Sequence, residues 1–164
     1  MKLDYRQPAS LVEPNNEILE VMRCLQGAWE TAAAAFQASN LSKTARGQKP
    51  SSGMQAYLTD AIDEGVQSEG WSGGDGRYSK NQTWIRVSFR HSMSLGSDFL
   101  DAQRQLKLEK YEQVALIYAH QALLKRISPK DGGSLCSFER ASLLIHDLEA
   151  MSPNLPVWLG RLDI

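Results

Sequence analysis

The chain has 164 residues, 42% of them hydrophobic, and a formal net charge of −1. This length and composition suit one ordinary globular domain with its own core, and the charge excludes a globally basic nucleic-acid-binding protein. Any contact with nucleic acid must therefore come from a local basic surface.

Cysteine usage and hydropathy exclude several further classes. The only two cysteines, Cys24 and Cys136, lie far apart, which fits neither a disulfide framework nor a zinc-ligand pattern. Two reduced thiols are typical of a cytoplasmic protein. No apolar run approaches the roughly 18 residues of a membrane span, and residues 1–10 lack the apolar core of a signal peptide.

The first part of the chain predicts an arm followed by a helix. Residues 1–15 are polar and proline-containing, and we expect them to form an N-terminal arm. Residues 16–164 are expected to form a single domain. Asn16 is a suitable N-cap, and apolar residues recur at helical spacing from there to about residue 38.

A basic connection and a second helix come next. Residues 39–53 contain Lys43, Arg46 and Lys49 but no acidic residue. We interpret them as a flexible basic loop, or alternatively as one that becomes ordered on DNA. The second helix is predicted from Ser51 or Ser52 to about residue 68. Gly70-Trp71 ends it, and the glycines that follow are interpreted as a turn.

A strand pair rich in positive charge follows this turn. The segment from Arg77 to Arg90 contains no Asp or Glu, and a turn is predicted near Asn81-Gln82. In the second strand, apolar residues alternate with Trp84, Arg86, Ser88 and Arg90, which is the period of a half-buried strand. This face is either a solvated edge that discourages aggregation or a surface that binds an anion such as phosphate.

The remaining elements complete an α/β pattern. Ser97 is predicted to cap a helix, and the apolar run at residues 113–119 has the character of a buried central strand. A short helix over residues 121–127 precedes a helix capped by Ser137, and a last strand at residues 156–162 is expected beside the 113–119 strand. This order predicts a three-layer α/β protein with a small mixed sheet flanked by helices.

Several local stretches stand in the order of a known family. Gly70-Trp71 is followed by IRVSFRH at residues 85–91, then by SMSLGSDFLDAQRQLK and the apolar strand QVALIYA. With these features the chain resembles the PD-(D/E)xK nuclease superfamily, in the branch of restriction endonucleases that cut palindromes with a GATC core. The resemblance covers roughly residues 54–162 and implies a restriction-endonuclease-like fold.

The resemblance also implies a magnesium site, from which this sequence departs. Related nucleases hold Mg²⁺ with carboxylates on two strands, one ending in Asp-aromatic-x-Lys and the next of the type V-E-V-Q-F-G-H. The Asp corresponds to Arg77 and the Glu to Arg86, with Ser88 at the next polar position. A guanidinium repels a metal ion but binds phosphate through paired hydrogen bonds. The resemblance therefore implies a DNA-binding groove, and the departure at Arg77 and Arg86 predicts that no metal cofactor is bound in it.

The predicted site residues follow from this hypothesis. Trp84 is expected to stack on a guanidinium or a base, and His91 to contact phosphate. The predicted nucleic-acid-binding residues are Arg77, Lys80, Trp84, Arg86, Arg90, His91 and Arg104. If magnesium is retained after all, the carboxylates available to replace the missing ligands are Glu64, Asp75, Asp98 and Asp101. Helix capping and surface charge are alternative roles for these acids.

Three functions remain open from the sequence. The first is a catalytically inactive protein that binds double-stranded DNA as a subunit or regulator of a bacterial defence or mobile-element system. It would act as a homodimer, because palindromic half-sites mirror two-fold symmetry, or within a larger complex. The second is an active Mg²⁺-dependent endonuclease with relocated carboxylates. The third is a protein-interaction module whose basic strand pairs with a partner chain.

Overall fold

The computed structural model describes residues 3–6, 15–108, 111–151 and 157–163. Its strands are β1 (Leu3–Arg6), β2 (Ser72–Gly74), β3 (Arg77–Lys80), β4 (Thr83–Ser88), β5 (Gln113–Ala119) and β6 (Val157–Leu162). Its helices are α1 (Asn16–Ala45), α2 (Gln55–Ser68), α3 (Leu95–Lys107), α4 (Gln121–Ile127) and α5 (Phe138–Met151). A short 3-10 turn over Ser92–Ser94 precedes α3.

These strands form one mixed sheet in the order β1-β6-β5-β4-β3-β2. β4, β5 and β6 are parallel neighbours, whereas β1, β2 and β3 join the sheet in antiparallel pairs. Strands inside a parallel sheet are covered on both faces and therefore read as continuous apolar runs. β5 is such a strand, buried from Val114 to Ala119, and its pairing with β6 confirms the predicted neighbour.

Helices cover both faces of the sheet and create two apolar cores. On one face α1 and α2 pack against residues such as Ile85 and Ile117. On the other face α3 and α5 pack against Trp84, Leu116 and Tyr118. The predicted three-layer α/β architecture is therefore confirmed. None of the helices in the described part of the chain is long and apolar enough to cross a membrane.

The structure corrects the predicted limits of the first helix. Asn15, not Asn16, caps α1, because its Oδ1 accepts the backbone N–H of Ile18 at 3.0 Å. The helix continues to Ala45, so the first seven residues of the predicted 39–53 loop are helical. Contacts with distant residues support this extension: Tyr57 on α2 donates its hydroxyl to Ser39 at 2.7 Å.

Two further segments differ from the sequence-based expectation. Part of the predicted arm, Leu3–Arg6, forms β1 and pairs with β6; residues 1–2 and 7–14 lie outside the described residues. The glycine-rich segment contains a short strand, β2, before its turn. Asp75 and Gly76 form that turn with φ values of 50° and 73°, the left-handed conformation that a tight hairpin requires.

Gly76 is also required by a close approach between strands. Its carbonyl oxygen accepts the backbone N–H of Val87 at 2.8 Å, and a Cβ at this position would collide with the Val87 carbonyl oxygen. The turn therefore lies directly against the end of β4. This contact places the turn residue Asp75 beside the basic residues of β4.

The start of α3 also lies elsewhere than predicted. The helix begins at Leu95, so Ser97 is inside its first turn and its hydroxyl donates to the Ser94 carbonyl at 2.8 Å. Asp98 consequently faces the sheet instead of solvent. The predicted cap at Ser137 is confirmed, since its Oγ accepts the backbone N–H of Arg140 at 3.5 Å.

Candidate functional site

Arg77 and Arg86 lie side by side on neighbouring strands. They are directly opposed in the antiparallel register of β3 and β4, so their side chains leave the same face of the sheet. Like charges placed directly opposite each other across two strands are destabilising. The pair therefore requires negative charge from another element.

Asp98 on α3 supplies that negative charge. It is 1% exposed and accepts hydrogen bonds from the hydroxyls of Ser88 (2.8 Å) and Tyr118 (3.3 Å) and from Nη1 of Arg90 (3.1 Å). Nε of Arg86 lies 3.5 Å from its Oδ1, at ion-pair distance but without hydrogen-bond geometry. The carboxylate thus joins β4, β5 and α3 at one buried point.

Arg86 is the buried cation of this network. Only 3% of it is exposed, and its Nη1 donates to the Asp75 carbonyl oxygen at 2.8 Å. Burial lowers the pKa of Arg86, and the Asp98 carboxylate opposes that shift. Because an arginine remains charged in proteins, Asp98 is the group that makes this buried charge tolerable. Burial and Asp98 also raise the pKa of Tyr118, which keeps its hydroxyl a neutral donor.

Two arginines flank this buried pair and reach solvent. The side chains of Arg77 and Arg90 are 48% and 43% exposed. Arg77 pairs with Asp101 on α3 at 3.4 Å, an exposed contact of the kind that contributes little to stability. His91 is exposed next to Arg90. The end of β4 therefore presents the side chains of Arg77 and Arg90 to solvent, and we call this surface the arginine edge.

Lys80 does not belong to this group. It leaves the opposite face of β3, where its Nζ binds Glu20 Oε2 at 2.8 Å and the Glu69 carbonyl oxygen at 2.7 Å, and it lies over the Trp71 ring. The hydrogen bond from Lys80 lowers the pKa of Glu20. The period-two geometry of β3 therefore separates Lys80 from Arg77, and a contact between Lys80 and phosphate stays a prediction.

The prediction that one face of this strand is open to solvent is wrong for β4. All six of its residues are buried, because β3 and β5 flank the strand while helices cover both faces. Trp84 is 6% exposed and packs in the core beneath α3 and α5, so it does not offer its ring to a base. Arg86 is equally inaccessible as a direct phosphate ligand.

The other predicted residues are placed less centrally. Arg104 is exposed on α3, one turn beyond Asp101. Asp75 lies in the β2–β3 turn, where its backbone N–H donates to Asp63, and Glu64 is exposed on α2. These acids do not assemble around a common point as metal ligands would.

The magnesium ion implied by the resemblance does not fit this site. No group of three or more His, Cys, Asp or Glu residues in the described ranges could hold a metal ion. Asp98 is already surrounded by hydrogen-bond donors and guanidinium groups, and Asp101 pairs with Arg77. Since guanidinium groups repel a divalent cation, these carboxylates are not available as ligands of a magnesium ion.

Sequence reasoning missed the residues that complete the network. From the sequence alone, Asp98 is an optional metal ligand or a charge at the start of a helix, and no pattern links Ser88 or Tyr118 to the arginines. Tyr118 gave no signal, because it stands within the apolar run of β5. The uncompensated positive charge of β4 was a usable signal, because a buried arginine requires a carboxylate partner.

A cavity of about 430 Å³ adjoins the exposed end of this site. The residues that line it are Gln55, Phe89, Arg90, His91, Ser94, Ser128, Asp131 and Leu135.

We expect Asp98→Asn to destabilise the protein by about 3 kcal/mol or more, because it leaves Arg86 buried without a counter-charge. Urea denaturation measures this loss. Asp101→Asn on the same helix is the matched control and should change stability by about 0.5 kcal/mol or less. The double variant Arg86→Met/Asp98→Asn should recover part of the loss. Equal stabilities for Asp98→Asn and Asp101→Asn would contradict a central role for Asp98.

Comparison with known proteins identifies the fold. No protein-family model and no curated protein matches the chain. The structure is similar to restriction endonuclease BglII complexed with a DNA 16-mer, with a TM-score of 0.68 and 13% identity over 100% of this chain and 77% of the BglII chain. Against free BglII the TM-score is 0.63 with 12% identity over 99% and 79% of the two chains. The chain therefore has a restriction-endonuclease-like fold, as predicted from its sequence.

Proposed function

We propose that this protein binds double-stranded DNA at the start of β3 and the end of β4 and does not cleave it. The observation that carries the proposal is the register of Arg77 and Arg86: by the resemblance, these positions belong to the metal-binding carboxylates of related nucleases. The fold is similar to that of a restriction endonuclease whose structure contains DNA. Shared fold alone does not imply shared activity, so the site residues carry the argument.

The exposed arginines beside the buried Arg86 favour phosphate binding. A guanidinium presents donors in a planar fork that matches two phosphate oxygens. Arg77 and Arg90 are both about half exposed; Arg77 pairs with the exposed Asp101, and Arg90 reaches the buried Asp98 through Nη1. Arg86 lies between them as a fixed charge held by Asp98. DNA phosphates can therefore be bound without a metal ion as mediator.

The same substitution removes the means of cleavage used by related nucleases. There the metal activates water and stabilises the negative charge that develops during phosphodiester hydrolysis. A positively charged side chain stabilises negative charge but neither replaces carboxylate ligands nor accepts a proton from water. The relocated-carboxylate alternative is not favoured, because Asp98 and Asp101 are engaged with the arginines.

Such a protein would occupy DNA without cutting it. This property suits a subunit or regulator of a bacterial defence or mobile-element system, which is the role we propose. Two-fold symmetric DNA sites would be read by a homodimer, or the chain would contribute DNA binding to a larger complex.

The direct test of this function is DNA binding in the absence of metal. We expect the protein to shift duplex DNA in EDTA with the affinity that it has in Mg²⁺, after correction for ionic strength. Supercoiled plasmid should remain intact in Mg²⁺ or Mn²⁺ at protein concentrations that saturate binding. Robust metal-dependent nicking by the purified protein would overturn the inactive-site proposal.

The exposed arginines should carry a measurable share of the affinity. Arg77→Gln/Arg90→Gln should weaken duplex binding by about tenfold per lost contact near 0.1 M salt, because each phosphate contact adds about 0.9 to the salt slope. Arg23→Gln/Lys107→Gln removes the same charge on α1 and at the far end of α3 and serves as control. If the two double variants bind DNA equally well, the arginine edge is not the binding site.

Asp101 should act against DNA binding, because it competes with phosphate for Arg77. We therefore expect Asp101→Asn to tighten duplex binding several-fold, by at least about threefold under low-salt conditions where surface charges are least screened. Asp147→Asn, an equally large charge change on the exposed face of α5, controls for net charge.

A double-mutant cycle separates this competition from a general change of charge. The gain from Asp101→Asn should disappear in an Arg77→Gln background. A gain that persists there, or one that Asp147→Asn reproduces, would show that Asp101 does not mask Arg77.

A further inference from the structure

Two segments outside the arginine edge share an unusual composition. Residues 39–53 and 121–130 together contain six Lys and Arg residues and no Asp or Glu, in a chain with 18 basic and 19 acidic residues. The six are Lys43, Arg46, Lys49, Lys125, Arg126 and Lys130. A local excess of this kind in a protein of nearly zero net charge is the footprint expected of a polyanion-binding surface.

The fold brings these two segments together. The backbone N–H of Met54 donates to the Ile127 carbonyl oxygen at 2.7 Å. Gly53 lies so close that a Cβ there would collide with the same carbonyl oxygen. Arg126 lies over the ring of Trp29 on α1, 5.2 Å from its centroid. The loop after α1 is therefore packed on the C-terminal end of α4.

The loop is also held in a defined conformation. Asn40 on α1 accepts the backbone N–H of Ser51 at 2.8 Å, and its amide donates to the Ser51 carbonyl at 3.3 Å. Lys43 donates to Ser51 Oγ at 2.6 Å. Arg46 and Lys49 remain exposed, as do Lys125 and Lys130 across the contact. A preordered set of exposed cations binds phosphate at a smaller entropic cost than a disordered segment.

This basic surface adjoins the same cavity as the arginine edge. The residues that line the 430 Å³ cavity include Arg90 and His91 and also Ser128, which lies two residues before Lys130. Gln55 at the start of α2 also lines it, and its amide donates to the Phe89 carbonyl at 3.3 Å. Asp131 is the acidic residue among the lining residues. The cavity therefore connects the exposed end of β4 with the turn after α4.

α1 is much longer than the strands of the sheet. Its 30 residues correspond to about 45 Å, whereas the six residues of β4 span about 20 Å. α1 begins beside the start of β4, where the Asn15 amide donates to Thr83 Oγ1 at 2.6 Å. Arg126, which follows β5 in the chain, lies over Trp29 near the middle of α1, so the second half of α1 extends beyond this contact.

We propose that Lys43, Arg46, Lys49, Lys125, Arg126 and Lys130 form a second DNA-binding surface, which contacts backbone phosphates flanking the duplex segment bound at the arginine edge. The proposal rests on the proposed function and extends it. Duplex DNA carries about one negative charge per 1.7 Å of helix axis, so a single duplex offers phosphates to the arginine edge and to this second surface together. Lysine and arginine on an exposed loop contribute affinity without reading the base sequence.

The test compares duplexes of two lengths. Lys49→Gln/Lys130→Gln removes two exposed charges and spares Arg126 and Lys43, which make structural contacts; Arg23→Gln/Lys107→Gln is the charge-matched control. Each is titrated with a duplex of about 10 base pairs, roughly one helical turn, and with one more than twice as long. On the long duplex we expect a loss of about tenfold or more near 0.1 M salt and a salt slope lower by up to about 2. On the short duplex we expect no change relative to the control.

The outcomes distinguish this surface from the arginine edge. Equal losses on both duplexes, or no loss on the long one, would overturn the flanking contact. If Arg77→Gln/Arg90→Gln weakens both lengths while Lys49→Gln/Lys130→Gln weakens neither, the proposed function stands and the second surface fails. If the wild-type protein binds neither duplex, both proposals fail together. A thermal unfolding temperature within the range of the control confirms that the variant is folded.

Discussion

The buried carboxylate of Asp98 is the interaction on which the candidate site depends. It compensates Arg86, receives the hydroxyls of Ser88 and Tyr118 and reaches Arg90 at the surface. Taking a guanidinium out of water is unfavourable by several kcal/mol unless a counter-charge and hydrogen bonds accompany it. Because these contacts come from β4, β5 and α3, the packing of α3 on the sheet and the position of the arginines are set together.

The arrangement changes what a site at this edge of the fold can do. A metal site depends on loading and pH, since its ligands must be deprotonated before a cation binds. Arg77 and Arg90 carry positive charge at every physiological pH and are covalently part of the chain. Under the proposed function the protein would therefore bind DNA whether or not magnesium is present. In that proposal, the exposed ion pair between Asp101 and Arg77 reduces the positive charge of Arg77, and a phosphate can displace Asp101 from it.

The sequence predicted the architecture better than it predicted the site. Apolar periodicity located α2, β5, α4 and β6, because those elements bury one stripe or both faces. Local pattern could not show that β4 is an interior strand, since its alternation of Ile85 and Val87 with Arg86 and Ser88 is also the pattern of a half-exposed edge. Only the tertiary position of Asp98, ten residues beyond Ser88, explains how a charged residue is buried there. The separation of Lys80 from Arg77 was predictable from strand alternation alone, because the two residues are three positions apart.

Burial and exposure divide the basic residues into two kinds with different consequences. Arg86 and Lys80 are held by carboxylates mostly away from solvent and support the fold, so their charge is largely compensated before any ligand approaches. Arg77 and Arg90 also contact carboxylates, but about half of each side chain is exposed, and the lysines near the end of α4 are exposed as well. Under the proposed function, these exposed side chains would exchange a counterion atmosphere for phosphate on binding. A total charge of −1 does not reveal this division, because it adds the compensated and the exposed side chains together. Under the proposed function, the distribution of charge around the end of β4 is therefore a better guide to DNA binding than the total.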